Sequence, residues 1–293
     1  MSNELTVDVA AWVDRARADP VRHLERMVTE IVMTAIGRAT GLREDIYLKG
    51  GILMGLAYGS PRGTADLDYT AIIEPDPENV TRIRADLETS LRITPLSIGY
   101  PDIECRIQSF VHKPRAKGFG DHTAPALNVG IGYARRDTPQ FRHLTKLQCP
   151  DIVRVDISFR EPVAAPDTIR LVQSGVAIKA YALIDIIAEK LRAFLQQEAR
   201  NRSRRQDIYD LAHLIERFAF DEPELRAIHD LLIAKCRARD IAPTIESIDD
   251  PKLKARAKAE WRTMEIEIGA VPDFDERHEV VRGFYRRLPW TEA

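Results

Sequence analysis

The apolar run Ile46-Tyr47-Leu48 leads through Lys49 into Gly50-Gly51, which passes straight into ILMGLAY, a segment with helical spacing. Strand, tight turn and helix start therefore follow one another without a spacer. Glycine lets a backbone approach an anion closely, and the unpaired N–H groups of a helix start point at it. After an Arg62-Gly63 turn, Asp66, Asp68 and Thr70 alternate with Leu67, Tyr69 and Ala71, which sets both carboxylates on one face of a strand. Adjacent carboxylates repel each other unless a cation lies between them, and hard oxygen donors at this spacing suit Mg²⁺ bridging to triphosphate oxygens. The plainer reading is a Gly-Gly turn followed by a solvated strand face. Because the glycines and the acidic pair occur together in this order, the metal and phosphate reading is favoured.

Two-metal chemistry asks for a further carboxylate. In DIVRVDISF, Val153, Val155, Ile157 and Phe159 take one face of a strand and Arg154, Asp156 and Ser158 the other. Asp156 then points away from the apolar face, as a metal-side ligand or simply as the polar side of an edge strand.

A lysine stands where a core residue belongs in YALIDIIAEKLRAFLQQ. Leu183, Ile186, Ile187, Leu191 and Phe194 form an apolar helix face, and Lys190 lies among them. A buried ammonium needs an anion, and a nucleotide triphosphate would serve; alternatively, the side chain snorkels to water. Further on, Asp207 and Asp210 are neighbours on another amphipathic helix, after Arg200, Arg202, Arg204 and Arg205. Helix capping or pairing with an arginine would account for them equally.

Together these segments resemble the AbiEii/AbiGii family of nucleotidyltransferase toxins, which includes the MenT-like toxins of toxin–antitoxin systems. The resemblance is carried in order by LKGG (48–51), TADLD (64–68), VDISF (155–159), AEKLRA (188–193) and RRQDIYDL (204–211). It implies an α/β fold, a polymerase-β-like nucleotidyltransferase lobe with a mixed sheet followed by a helical C-terminal lobe. It also implies catalytic roles for Asp66, Asp68, Lys190 and Asp207, nucleotide contacts from Gly50, Gly51, Thr64 and Lys190, and metal ligation by Asp66, Asp68 and Asp156. The implied reaction transfers NMP from an NTP, with Mg²⁺, to an RNA acceptor, the 3′ end of tRNA above others, so that translation stops. A cognate antitoxin is the implied protein partner. Gln206 stands where the family often has an arginine directly before the aspartate, which leaves Asp207 and Asp210 both open for that role. A protein or small-molecule acceptor, or a silent nucleotide-binding module, are the alternatives.

The chain has 293 residues and a net charge of -2, so it is no general polyanion binder, and any RNA contact must use a local patch. Arg200, Arg202, Arg204 and Arg205 are the preferred RNA candidates. Lys113, Arg115 and Lys117, the pair Arg135-Arg136, and the basic residues from Lys252 to Arg262 are weaker ones, and Tyr285 and Trp290 offer rings for base stacking. Three scattered cysteines support neither a disulfide framework nor a zinc site. No apolar stretch approaches the roughly 20 residues that span a bilayer, and a cytoplasmic protein without membrane contact is expected.

Periodicity predicts helices at 7–18, 21–39 and about 77–91, strands near 46, 66, 92, 103, 127, 152 and 169, and mainly helix from Tyr181. The expected lobes are 1–165, holding the metal site, and 166–293, contributing Lys190 and Asp207.

Overall fold

In the computed structural model, residues 4–62, 64, 66–115 and 118–290 are described. The first of its two units comprises Met1–Ala57, Thr64–Glu161 and Ala165–Ala180, and the second Tyr58–Gly63, Pro162–Ala164 and Tyr181–Ala293.

In chain order the first unit holds β1 (Glu4–Val7), α1 (Val9–Asp14), α2 (Pro20–Arg38), β2 (Ile46–Lys49), α3 (Gly50–Ala57), β3 (Leu67–Ala71), α4 (Pro77–Ser97), β4 (Ile103–Lys113), β5 (Ala126–Arg135), α5 (Gln140–Thr145), β6 (Ile152–Phe159), β7 (Asp167–Leu171) and β8 (Ala177–Ala180). The strands make one mixed sheet in the order β1-β7-β8-β2-β3-β6-β5-β4. β2 and β3 pair antiparallel at its centre, each with a parallel neighbour on its other side, β8 and β6 respectively. Parallel neighbours must come from distant parts of the chain, because only a crossover can join them.

Local chemistry sets the helix boundaries. Asp19 caps α2 by accepting from the backbone N–H groups of Val21 and Arg22, with Pro20 in the first turn, and Asp76 caps α4 in the same way through Asn79. Val28, Ile31, Val32 and Ile36 form the buried stripe of α2. The expected strand near residue 92 instead lies within α4. Leu87, Leu91 and Thr94 are all buried at helical spacing, and the Thr94 hydroxyl donates to the Ser90 carbonyl. At the start of the chain, Glu4–Val7 is a strand parallel to β7, and the first helix begins only at Val9. The sheet also extends past the expected lobe boundary at 165/166, since β7 and β8 belong to it.

The second unit is helical: α6 (Leu183–Leu195), α7 (Gln197–Arg200), α8 (Arg205–Arg217), α9 (Glu222–Arg237), α10 (Pro251–Lys258), α11 (Glu265–Ile268) and α12 (Phe274–Arg287). α6 packs against α8 and α9, and α12 against α8. Ile187, Leu191, Phe194, Ile208, Leu211, Ile228 and Leu232 lie in its core. No described helix is long and apolar enough to cross a membrane.

Close packing of α2 on β8 depends on Gly37. A Cβ added there would lie 2.4 Å from Val176 Cγ1 and 2.6 Å from Ile178 Cγ2, both on stiff β-branched side chains. Gly37→Val should therefore cost about 2 kcal/mol of stability. Urea unfolding followed by circular dichroism reads this as a lowered midpoint, and an unchanged midpoint would contradict the packing.

Candidate active site

In the sheet unit the glycine turn and the acidic strand meet as the sequence suggests. β2 ends at Lys49 and α3 begins at Gly50, whose φ of +74° lies in the left-handed region that favours glycine. A Cβ on Gly50 would sit 2.2 Å from Asp68 Oδ2, and one on Gly51 would sit 2.6 Å from Thr64 Cγ2. The glycines are thus the surface on which Asp68 and Thr64 rest.

Strand register completes the arrangement. Lys49 pairs with Asp68 across β2 and β3, Asp68 with Asp156 across β3 and β6, and Asn128 with Asp156 across β5 and β6. Directly paired residues share a sheet face, so Lys49, Asp68, Asp156 and Asn128 form one polar row across four strands. The paired residues Leu48, Tyr69 and Ile157 are buried on the opposite face.

Below the row the polar groups are tied together. Lys49 Nζ lies 2.7 Å from Ser158 Oγ and 2.5 Å from Glu161 Oε2. The Thr70 hydroxyl donates to Glu161 at 3.0 Å and lies 3.1 Å from Ser158 Oγ. By contrast, Asp156 Oδ1 is buried and has no hydrogen-bond partner among the described residues. Burial raises the Asp156 carboxyl above its ordinary range; the charge of Lys113 opposes this, while that of Asp66 adds to it.

Asp66 lies just outside the strand. β3 begins at Leu67, so Asp66 precedes it and is exposed. Among the described residues, no three His, Cys, Asp or Glu side chains converge as a metal cage. Asp68 and Asp156 nevertheless fit a cation that also binds substrate phosphates, because Mg²⁺ characteristically takes one or two carboxylates and fills its remaining positions with phosphate oxygens and water. A buried carboxylate oxygen without a donor is the feature such a cation would satisfy.

A second cluster lies within the helical unit. Lys190 is buried on α6, and its ammonium meets Asp207 Oδ1 at 3.0 Å and Asp210 Oδ2 at 2.7 Å, both on α8. These carboxylates are anions that offset its burial. Arg62 joins from a distant part of the chain, with NH1 2.5 Å from Asp210 Oδ2 and Nε 3.3 Å from Glu267 Oε2. Asp210 thus receives both a lysine and an arginine, and Arg204 lies 3.6 Å from Asp207 Oδ2.

Burial alone would raise the Asp207 carboxyl, but the charges of Lys190 and Arg204, the hydrogen bond from Lys190 and the charge of Arg62 hold it below its ordinary value. Burial likewise disfavours the Lys190 ammonium, but Asp210 and Asp207 more than reverse this and hold its pKa up. Each partner therefore stabilises the ionised form of the other.

The sequence reading did not single out Lys49, Asn128, Glu161 or Arg62. Only Lys49 carried a signal, as the charge that ends an otherwise apolar strand. The arginine cluster divides: Arg205 pairs with Glu260 at 3.3 Å and Arg204 with Asp207, whereas Arg200 and Arg202 are exposed. Lys254 and Lys258 both pair with Asp275. Lys117 lies outside the described residues. Tyr285 is not available for stacking, being buried with its hydroxyl donating to the Thr244 carbonyl, and Trp290 donates to the Tyr285 carbonyl.

Three comparisons bear on this arrangement. A family model described as nucleotidyl transferase AbiEii toxin, type IV toxin–antitoxin system, matches residues 33–280. Among solved structures, the fold is similar to that of MenT4, a nucleotidyltransferase toxin from Mycobacterium tuberculosis, with a TM-score of 0.60 at 17% identity over 97% of this chain and 90% of that one. An antigenic nucleotidyltransferase-like protein from Paracoccidioides brasiliensis is matched with a TM-score of 0.35 at 16% identity, over 78% of this chain and 93% of that one. No curated protein matches.

The ion cluster yields a test with a defined sign. Asp207 has a depressed folded-state pKa, so its stabilisation is complete above the ordinary value of 3.8 and is lost as pH falls through the depressed one. Asp207→Asn leaves Lys190 with a poorer partner and should cost about 3 kcal/mol at neutral pH. In urea titrations at a series of pH values, the gap to the wild type should close in the acid range; a gap independent of pH would refute the pairing.

Proposed function

We propose that this chain, which belongs to the AbiEii family of nucleotidyltransferase toxins of type IV toxin–antitoxin systems, transfers a nucleoside monophosphate from an NTP, with release of pyrophosphate, to a hydroxyl of RNA, with the 3′ end of tRNA as the foremost acceptor. The observation that carries the reading is the polar row: Asp68 and Asp156 in register on adjacent strands, behind a left-handed glycine turn, with one buried carboxylate oxygen lacking a donor.

In this reading Asp68 and Asp156 hold Mg²⁺, with Asp66 as the further carboxylate at the entrance to β3. Bound Mg²⁺ supplies charge neutralisation on the triphosphate and lowers the pKa of the attacking hydroxyl. Gly50 and Gly51 admit the phosphates close to the backbone, where the first N–H groups of α3 donate, and Thr64 adds a hydroxyl. Asp156, on the side of the cation that faces the acceptor, would help lower the barrier to deprotonating the acceptor hydroxyl. An ammonium has three donors, and Asp207 and Asp210 take two of those on Lys190. Lys190 is assigned the nucleotide contact that the family's pattern implies, with Asp207 and Asp210 fixing its side chain. Arg200 and Arg202 are assigned to the RNA backbone. An antitoxin as protein partner, a cytoplasmic location and a block of translation are part of the same proposal, supported by the family's place in toxin–antitoxin systems.

The test is incubation of the purified protein with each NTP, radiolabelled on the α-phosphate, with Mg²⁺ and total bacterial tRNA, resolved on a denaturing gel beside Asp68→Ala. Label should pass to tRNA from the wild type, and the variant should be slower by at least about a hundredfold while melting at a similar temperature. Label on protein or on a small molecule instead would replace the acceptor. An equally active Asp68→Ala would overturn the metal assignment.

A further inference from the structure

β4 closes the sheet at one end: it pairs with β5 and with no other described strand. An unpaired edge offers a row of backbone donors and acceptors to any extended segment that reaches it. Along this edge runs a cavity of about 470 Å³, formed by α4, the first half of β4 and the segment after β5.

Three properties of the cavity describe what it would accept. Its apolar lining includes Leu96 and Leu147, which are 73% and 47% exposed. It is basic, since Arg84, Arg92, Arg106 and Arg136 line it against only two acidic residues, Glu88 and Glu104. Finally, the cations are incompletely compensated. Arg84 pairs with Glu88 at 3.0 Å, whereas Arg106 and Arg136 share Glu104 at 2.5 and 3.7 Å, and Arg92 has no ion pair among the described residues.

We infer that β4 and its cavity form a docking site for an extended, acidic segment of another protein chain, which adds to the sheet as a further strand. Glu104 and Arg106 alternate with buried Ile103, Cys105 and Ile107, so the two faces of the edge are polar and apolar. A segment alternating carboxylates with apolar side chains matches both, the main chain pairing with β4 and the carboxylates meeting the arginines. A second copy of this chain is disfavoured, because the same surplus of arginines would face itself. RNA would satisfy the arginines, but it would leave the strand edge and the leucines unused.

The test uses the full chain and fluorescein-labelled peptides of alternating glutamate and valine, followed by anisotropy. Three comparisons accompany it: a lysine–valine peptide, a glutamate–valine peptide N-methylated at alternate residues to block strand pairing, and a single-stranded oligouridylate. Arg92→Glu and Arg106→Glu change exposed side chains outside the proposed active site, so tRNA labelling by both variants should remain that of the wild type.

The glutamate–valine peptide should bind about tenfold or more tightly than the lysine–valine one, weaken by a similar factor in either variant, and lose strength with salt. The N-methylated peptide should not bind. Equal binding of the lysine–valine or N-methylated peptide, insensitivity to both substitutions, or preferential binding of the oligouridylate at the same residues would overturn the proposal. A dimer of the wild type abolished by Arg106→Glu would also do so, in favour of self-association. Failure of tRNA labelling by the wild type would count against the proposed reaction and leave the docking site standing.

Discussion

The sheet face depends on keeping two carboxylates side by side that would rather separate. Asp68 and Asp156 lie opposite each other on parallel strands, where like charges oppose pairing. What holds the register runs from Lys49 in this row to the neighbouring one. Thr70, Ser158, Glu161 and Lys49 form a hydrogen-bonded knot, while the buried apolar sides of β3 and β6 would be turned to the wrong face by a slip of a single residue. The knot and the apolar layer thus fix which side chains stand together in the row.

The helical unit solves a related problem differently. Lys190, Arg62, Asp207, Asp210 and Glu267 are charges in or near a packed interior, and none would be tolerable alone. Their mutual compensation explains why an ammonium persists on the apolar face of α6. Such a cluster is costly to assemble and costlier to break, so its worth lies more in fixing the direction of one ammonium than in net stability.

What could be read from the sequence follows the range of the interactions involved. The strand, turn and helix around Gly50 and the alternation in β6 are local patterns, and they stand in the structure as read. The polar row is not local. Asn128 and Lys49 join Asp68 and Asp156 only through register between strands that no short-range periodicity specifies. Arg62 reaches Asp210 from 148 residues away, and nothing in the composition of its own turn signals that contact. The misread segments were those where a short β-branched run competes with a longer helical stripe, as in Arg92-Ile93-Thr94, and those as short as β1 and β8, with four residues each. Asp66 shows the limit of period-two reasoning, which gives alternation but not the residue at which the strand begins.

The crossover between β3 and β6 also bears on how the protein comes into being. Thr70 and Ser158 are 88 residues apart, and everything between them must be synthesised before the two strands can dock. Until then the chain contains Asp68 but nothing to set beside it. Incomplete products, whether stalled on the ribosome or clipped before Ile152, therefore carry the glycine turn and Asp68 without Asp156, and the metal pair proposed above cannot form until β6 has been made.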